Sequence, residues 1–197
     1  MKILLLCNKP PYPASEGGPM AMNSIVTGLL EAGHQVKILA VNSAKFNVKE
    51  SDIPDDYRQK TGIELIDVDL SVRPMKALFN LFTNKSYHVE RFISKDFKAK
   101  LTEVLEKEQF DVVQLEMLYM APYVETIREH SKAMIVLRAH NVEHKIWERI
   151  AKETKFFIKR WYINHLARTL KEYELNALET VDGIAAITRK DAAFFRK

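Results

Sequence analysis

The chain has 197 residues, of which 47% are hydrophobic and 28% are charged. This composition is typical of an ordinary globular domain with one good core, and it excludes a low-complexity or disordered polypeptide. The formal charge is +4, and the basic excess lies in residues 138–197, which hold 13 Lys and Arg against 8 Asp and Glu. Because no nucleic-acid recognition motif accompanies this excess, nucleic acid is not an expected partner.

Hydrophobic periodicity predicts strands that alternate with helices along the whole chain. Apolar runs predict six strands, at 3–7, 35–41, 63–70, 111–116, 133–137 and 183–187. Helical spacing predicts helices at 20–32, 74–82 and 94–108, one that ends near 130, a long helical region at 143–178, and a last helix from 191. The alternation predicts an α/β fold over residues 1–197: one doubly wound, mainly parallel, Rossmann-like sheet with helices on both faces.

The first predicted strand leads into a long turn that ends in a glycine pair. Prolines in this turn cannot continue the strand, Gly17 and Gly18 permit positive φ, and Pro19 suits a first helical turn. In α/β folds, a ligand's phosphate commonly lies at such a helix start. The turn has no G-x-G-x-x-G pattern, and the second strand has no acidic residue at its end, which excludes the usual dinucleotide site.

The long helical region has two apolar stripes that lie roughly 150° apart around a helix. They are Ile146, Trp147, Ile150, Phe157, Ile158 and Trp161, and then Ile163, Leu166, Leu170, Tyr173 and Ala177. A single straight helix cannot bury both stripes, so we expect a break between about 154 and 164. Opposite the first stripe lie Lys145, Lys152, Lys155 and Lys159. A basic face opposite Trp and Phe suits binding to an anionic membrane surface. In the alternative interpretation, the lysines form a solvated face and Trp and Phe join the core.

The cysteine count and the apolar runs indicate where the protein works. Cys7 has no partner for a disulfide within the chain, which fits a reducing compartment. No run approaches the roughly 18 apolar residues of a membrane span, and the N-terminal run is too short for a signal peptide. We expect a cytoplasmic protein, with peripheral association at the inner membrane surface as a further option.

The ligand crevice of such a sheet lies at the carboxyl ends of its strands, where the strand order reverses. For the usual order 3-2-1-4-5-6, this point falls between the first and fourth strands. The loops at 8–19, 116–120 and 138–144 therefore supply the candidate site residues, which are Gly17, Gly18, Glu116, Arg138, His140, Asn141 and Glu143.

Two short motifs raise the alternative of metal chemistry. His140, Glu143 and His144 match H-x-x-E-H, an inverted zinc-peptidase signature. That chemistry needs both histidines one turn apart on a helix, whereas His140 directly follows a predicted strand. Asp67 and Asp69 form a D-x-D pattern that more simply ends a strand. We therefore expect no metal cofactor and keep a zinc peptidase as the weaker alternative.

Three stretches resemble the N-terminal domain of glycosyltransferases of family 4, which have the two-domain GT-B fold. They are the strand at 2–6 leading to Gly17 and Gly18, the helix-to-strand passage at 29–36 with its Gly-His-x-Val entry, and the strand entry at 182–188. The stretches occur in the order that this family shows, over the whole chain.

The resemblance implies transfer of a sugar from a nucleotide-sugar donor to a glycan or lipid-linked acceptor, with retention at the anomeric carbon. It implies that Gly17 and Gly18 approach the donor diphosphate and that His140 orients the donor sugar or an acceptor hydroxyl. Glu116 stands where the family often has a histidine, so it joins His140 as a catalytic candidate that departs from the pattern. Arg138, Asn141 and Glu143 are the remaining donor- or substrate-binding candidates.

The family's second domain carries the nucleotide pocket and a pair of catalytic glutamates. The sequence stops at a helix that begins near 189–191, so we expect this domain to be absent. The resemblance then implies that the 197 residues alone bind acceptor weakly and transfer no sugar. The alternative is a non-catalytic module that binds a glycan or an anionic surface.

Overall fold

Six parallel strands form a single sheet in the computed structural model, which describes residues 1–196. The strands are β1 (Lys2–Cys7), β2 (Gln35–Asn42), β3 (Glu64–Asp67), β4 (Val112–Glu116), β5 (Met134–Ala139) and β6 (Gly183–Ala186). Their order is β3-β2-β1-β4-β5-β6, and each neighbouring pair is parallel. The predicted α/β, Rossmann-like sheet is confirmed, with the order reversing between β1 and β4.

Helices connect the strands throughout the described part of the chain. They are α1 (Gly17–Glu31), α2 (Asp55–Thr61), α3 (Pro74–Asn80), α4 (Tyr87–Glu90), α5 (Lys95–Lys107), α6 (Val124–His130), α7 (Glu143–Glu153), α8 (Phe157–Leu178) and α9 (Arg189–Phe195). Short 3₁₀ turns lie at Glu50–Asp52 and Leu118–Tyr123. Within residues 1–196, every helix is too short or too polar to cross a bilayer.

The central strand β1 is buried on both faces, as its continuous apolar run predicts. Ile3, Leu5 and Cys7 pack with α1 on one face of the sheet. Leu4 and Leu6 pack on the other face, in the larger cluster that includes residues of α5, α6 and α8. The alternation follows from the two-residue period of a strand, and it places helices on both faces.

Helix α1 begins earlier than the sequence predicts. Gly17 and Gly18 are its first two residues, and neither has positive φ. The expected positive-φ turn at this glycine pair is therefore wrong. The physical reason is that Pro19 has a backbone angle suited to a first helical turn and needs no N–H there, so the chain can enter the helix before it.

The predicted break in the long helical region is confirmed, because α7 ends at Glu153 and α8 begins at Phe157. Most of the second apolar stripe is buried in α8. The first stripe does not continue across the break: Phe157, Ile158 and Trp161 are all more than half exposed. The expectation that Phe and Trp join the core is wrong at these positions, since the break resets the helical phase.

Candidate active site at the carboxyl edge of the sheet

Three predicted site residues meet at the carboxyl ends of β4 and β5. Parallel pairing sets Glu116 beside Arg138, and His140 follows two residues later. Oε2 of Glu116 accepts hydrogen bonds from Nη1 of Arg138 at 2.7 Å and from Nε2 of His140 at 2.8 Å. Nε2 of Gln114 donates to Oε1 of Glu116 at 2.5 Å. Since Glu116 is fully buried, this carboxylate depends entirely on its three protein partners.

The electrostatics of this cluster favour a charged Glu116. Burial raises its pKa, but the hydrogen bond from His140 and the charge and hydrogen bond of Arg138 outweigh burial and lower the pKa below its usual value. Glu116 is therefore ionised near neutral pH.

The ionised carboxylate selects the tautomer of His140 that carries a hydrogen on Nε2. Within residues 1–196, Nδ1 of His140 makes no hydrogen bond, and the side chain is 10% exposed. In the neutral ring, Nδ1 is thus the acceptor available to a ligand. A histidine held by a carboxylate on one nitrogen and open on the other can accept or return a proton, or position a hydroxyl group.

The start of α1 lies on the same edge of the sheet. Nη2 of Arg138 is 3.5 Å from the carbonyl oxygen of Ala21, in the second turn of α1. Glu16, at the N-cap position, makes no side-chain capping hydrogen bond, so the N–H groups of Gly17 and Gly18 are left for another acceptor. Pro19 has no N–H to offer.

Two lysines lie beside this helix start, and neither was among the predicted site residues. A Cβ atom on Gly18 would lie 2.5 Å from Nζ of Lys9, so the absence of a side chain at Gly18 makes room for this ammonium group. Burial is the main cause that lowers the pKa of Lys9. Lys45 is 3.7 Å from Glu16 and neutralises it. The N-terminus of α1 therefore lies in a region of net positive charge.

Glu143 belongs to a second polar cluster beside the first. It begins α7, where its Oε2 accepts a hydrogen bond from the hydroxyl of Tyr119 at 2.9 Å. Glu174 of α8 accepts hydrogen bonds from the backbone N–H groups of Glu143 and His144 and from Nδ1 of His144. Burial is the main cause that raises the pKa of Glu143, and the charge of Glu174 adds to it. This cluster fixes the start of α7; Asn141 is exposed beside it.

The zinc-peptidase alternative gains no support from this geometry. His140 directs Nε2 to Glu116, whereas His144 directs Nδ1 to Glu174. Among residues 1–196, no three His, Cys, Asp or Glu side chains are grouped so that they could hold a metal ion. The two histidines of the H-x-x-E-H pattern are therefore held by hydrogen bonds to two different carboxylates.

A cavity of about 670 Å³ lies away from this edge cluster, between the end of β3, α3 and α4. Two of the arginines that line it are already held by the protein: Arg73 binds Asp69, and Arg91 donates to the carbonyl oxygen of Leu70. The predicted site residues do not line it. The carboxyl edge of β1, β4 and β5 remains the better candidate, because it has an available acceptor nitrogen and a positive helix start.

No protein-family model matches this chain. No curated protein matches it either. The resemblance to family 4 glycosyltransferases is therefore a hypothesis, which the site can be used to test.

Proposed function

We propose that this chain is the acceptor-side, N-terminal domain of a retaining glycosyltransferase that moves a sugar from a nucleotide-sugar donor to a glycan or lipid-linked acceptor. One observation carries the proposal. The uncapped start of α1, with Lys9 against Gly18, lies at the reversal of strand order beside His140, which is hydrogen-bonded to Glu116. An anion site next to an oriented histidine is what a phosphate-activated sugar requires.

The donor diphosphate is assigned to the start of α1. The N–H groups of Gly17 and Gly18 supply donors, the helix dipole favours negative charge, and Lys9 supplies a nearby cation. Gly17 has no atom near its missing side chain, so the surface there is open to a ligand. The diphosphate is a co-substrate, and this assignment needs no metal or other cofactor.

His140 is assigned to the sugar or to the acceptor hydroxyl. Its Nδ1 accepts a hydrogen bond from that hydroxyl while Glu116 holds Nε2 and stabilises any positive charge on the ring. Arg138 acts through Glu116 as a positioning residue, because its guanidinium group is already paired with that carboxylate. Glu143 positions α7 through Tyr119 rather than contacting the sugar.

Two glycines of α1 provide a matched test of the diphosphate site. A Cβ atom at Gly18 displaces the end of Lys9, whereas a Cβ atom at Gly28, farther along the same helix, meets no atom within 4 Å. Both residues lie in α1 and neither has positive φ, so both alanine variants are expected to fold. We expect Gly18→Ala to weaken binding of a nucleoside diphosphate by about fivefold to tenfold, which corresponds to one charge-assisted contact. Gly28→Ala should weaken it by less than about twofold.

The measurement is a titration of the ¹⁵N-labelled chain with UDP, GDP and ADP, with pyrophosphate as a probe of the anion site alone. We expect at least one nucleotide to shift the amide signals of Gly17 and Gly18. Thermal melting of each variant confirms that the fold is retained. If none of these anions shifts the α1 signals, or if the two alanine variants bind equally, the proposed diphosphate site is wrong.

A further inference from the structure

The corner between α7 and α8 carries an unusual exposed surface. All seven residues at 155–161, Lys-Phe-Phe-Ile-Lys-Arg-Trp, are exposed, and we name this segment the basic-aromatic tip. The exposed fractions are 61% for Phe156, 66% for Phe157, 54% for Ile158 and 60% for Trp161. Four large exposed apolar side chains within six residues exceed what isolated exposed residues explain, and such patches commonly mark interaction sites.

The tip lies at the end of a helical hairpin. A three-residue connection at 154–156 joins α7 to α8, and Glu174 of α8 binds the backbone at the start of α7. The two helices therefore run antiparallel. Since α7 has 11 residues, it carries the chain about 16 Å from its start at the carboxyl edge of β5 to the tip.

The charges of the tip are all positive and unpaired. Lys155, Lys159 and Arg160 have no Asp or Glu partner within 4.0 Å among residues 1–196, and the tip contains no acidic residue. Lys145, which the sequence analysis grouped with these lysines, lies elsewhere, because its Nζ is 3.9 Å from the ring centre of Phe194 in α9. The basic surface is thus confined to the outer part of the hairpin.

A second exposed apolar surface lies on α3 and the residues that flank it. Five large apolar side chains are exposed there: Val72, Met75, Leu78, Phe79 and Phe82. Two basic residues near this surface are paired, Arg73 with Asp69 and Lys85 with Glu90, so its contribution is mainly apolar. Helix α4 lies between this surface and α8, because it packs on α8 and its Tyr87 hydroxyl accepts a hydrogen bond from the backbone of Arg73. Both surfaces belong to segments that leave the carboxyl ends of strands: α3 follows β3, and the α7–α8 hairpin follows β5.

We propose that the basic-aromatic tip docks on the surface of an anionic lipid bilayer, with α3 as a second contact. Protein-protein interfaces are depleted in lysine at their centres, whereas Trp and Phe interleaved with Lys and Arg are typical of segments that insert at a charged headgroup region. The inference comes from exposure and charge alone, so it does not depend on the proposed glycosyl transfer. It would place the candidate site near the membrane, where a lipid-linked acceptor is found.

The test is sedimentation of the full 197-residue chain with vesicles that contain about 30% phosphatidylglycerol in phosphatidylcholine, compared with pure phosphatidylcholine vesicles. We expect binding only to the anionic vesicles, and we expect it to fall steeply between 0.1 M and 0.5 M salt because the Debye length shortens. A Trp147→Phe background leaves Trp161 as the only tryptophan. Its emission should then shift to the blue on binding, and brominated lipids should quench it.

Two pairs of variants separate the tip from the rest of α8. Lys159→Glu should weaken vesicle binding by more than about fivefold, whereas Lys171→Glu, an exposed lysine farther along the same helix, should change it little. Phe157→Ala should likewise weaken binding more than Leu175→Ala, since both residues are exposed but only Phe157 belongs to the tip. All four positions are exposed, so the variants are expected to fold.

Three results would overturn the proposal. The first is the absence of vesicle binding at low salt. The second is equal binding of the Lys159→Glu and Lys171→Glu variants. The third is a dimer in sedimentation velocity that Trp161→Ala dissolves, which would assign the tip to a second copy of the chain.

Discussion

Removing the carboxylate of Glu116 tests the central cluster most directly. Glu116→Ala removes the carboxylate oxygens that accept hydrogen bonds from Nη1 of Arg138, Nε2 of Gln114 and Nε2 of His140. The side chain of Arg138 is only 11% exposed, so its positive charge would then be buried without compensation. Loss of one partner of a buried ion pair costs about 3–5 kcal/mol.

This cost is large for a domain whose total stability is of order 5–15 kcal/mol. For a chain of this length, it corresponds to a fall of roughly 6–20 °C in the midpoint of thermal unfolding. The matched control is the double variant Glu116→Leu/Arg138→Met, which removes both charges and keeps apolar volume. We expect the double variant to lie within about 1–2 kcal/mol of the parent, because nothing charged remains to be desolvated.

The assay is urea unfolding at pH 7, followed by circular dichroism. The pKa of Glu116 is lowered in the folded state, so its stabilising contribution is present above the unfolded pKa and is lost as the pH falls through the folded pKa. The gap between the parent and Glu116→Ala should therefore narrow below about pH 4. A loss under about 1 kcal/mol at pH 7, as for an exposed pair, would refute the buried ion pair. A double variant as unstable as the single one would refute the charge argument.

Two further variants probe pH dependence with opposite signs. The pKa of Glu143 is raised in the folded state, so the protein loses stability as the pH rises through that pKa. The variant Glu143→Gln keeps an acceptor for the hydroxyl of Tyr119 but cannot ionise. Its unfolding free energy should therefore exceed that of the parent at pH 8 but not at pH 4. Parallel pH profiles for these two proteins would contradict this expectation. Burial and the charge of Arg91 lower the pKa of His88 to about 4, so His88 should contribute a loss of about 2 kcal/mol in unfolding free energy between pH 7.5 and pH 5, as the unfolded chain takes up a proton. His88→Phe, which keeps a ring against Trp147, should remove this loss, and urea titrations across that pH range would show whether it persists.

The fold could be predicted because its determinants are local. Continuous apolar runs mark strands buried on both faces, helical spacing marks the connections, and their alternation leaves few possible topologies. The break after Glu153 was predictable for the same reason, since two stripes out of phase cannot face one surface. The start of α1 was misplaced because a glycine pair suits both a turn and a helix N-terminus.

Glu116, Arg138 and His140 could be named in advance because the carboxyl ends of neighbouring parallel strands meet at one edge. Their pairing could not be predicted, because it depends on the register of β4 against β5 and on the complete burial of Glu116. Lys9 could not be placed either, since its contact with Gly18 depends on how the loop after β1 folds back over the start of α1.

Local apolar patterns are enough to predict the order of strands and helices, the doubly wound sheet and the edge that we propose as the ligand site. The pairing of polar groups and the exposure of apolar groups depend instead on which elements pack together in the fold. Phe157 and Trp161 show the difference: their spacing favours a buried stripe, yet both lie at a corner that no other element covers within residues 1–196. Periodicity reports the phase of one helix, whereas burial depends on what packs against it.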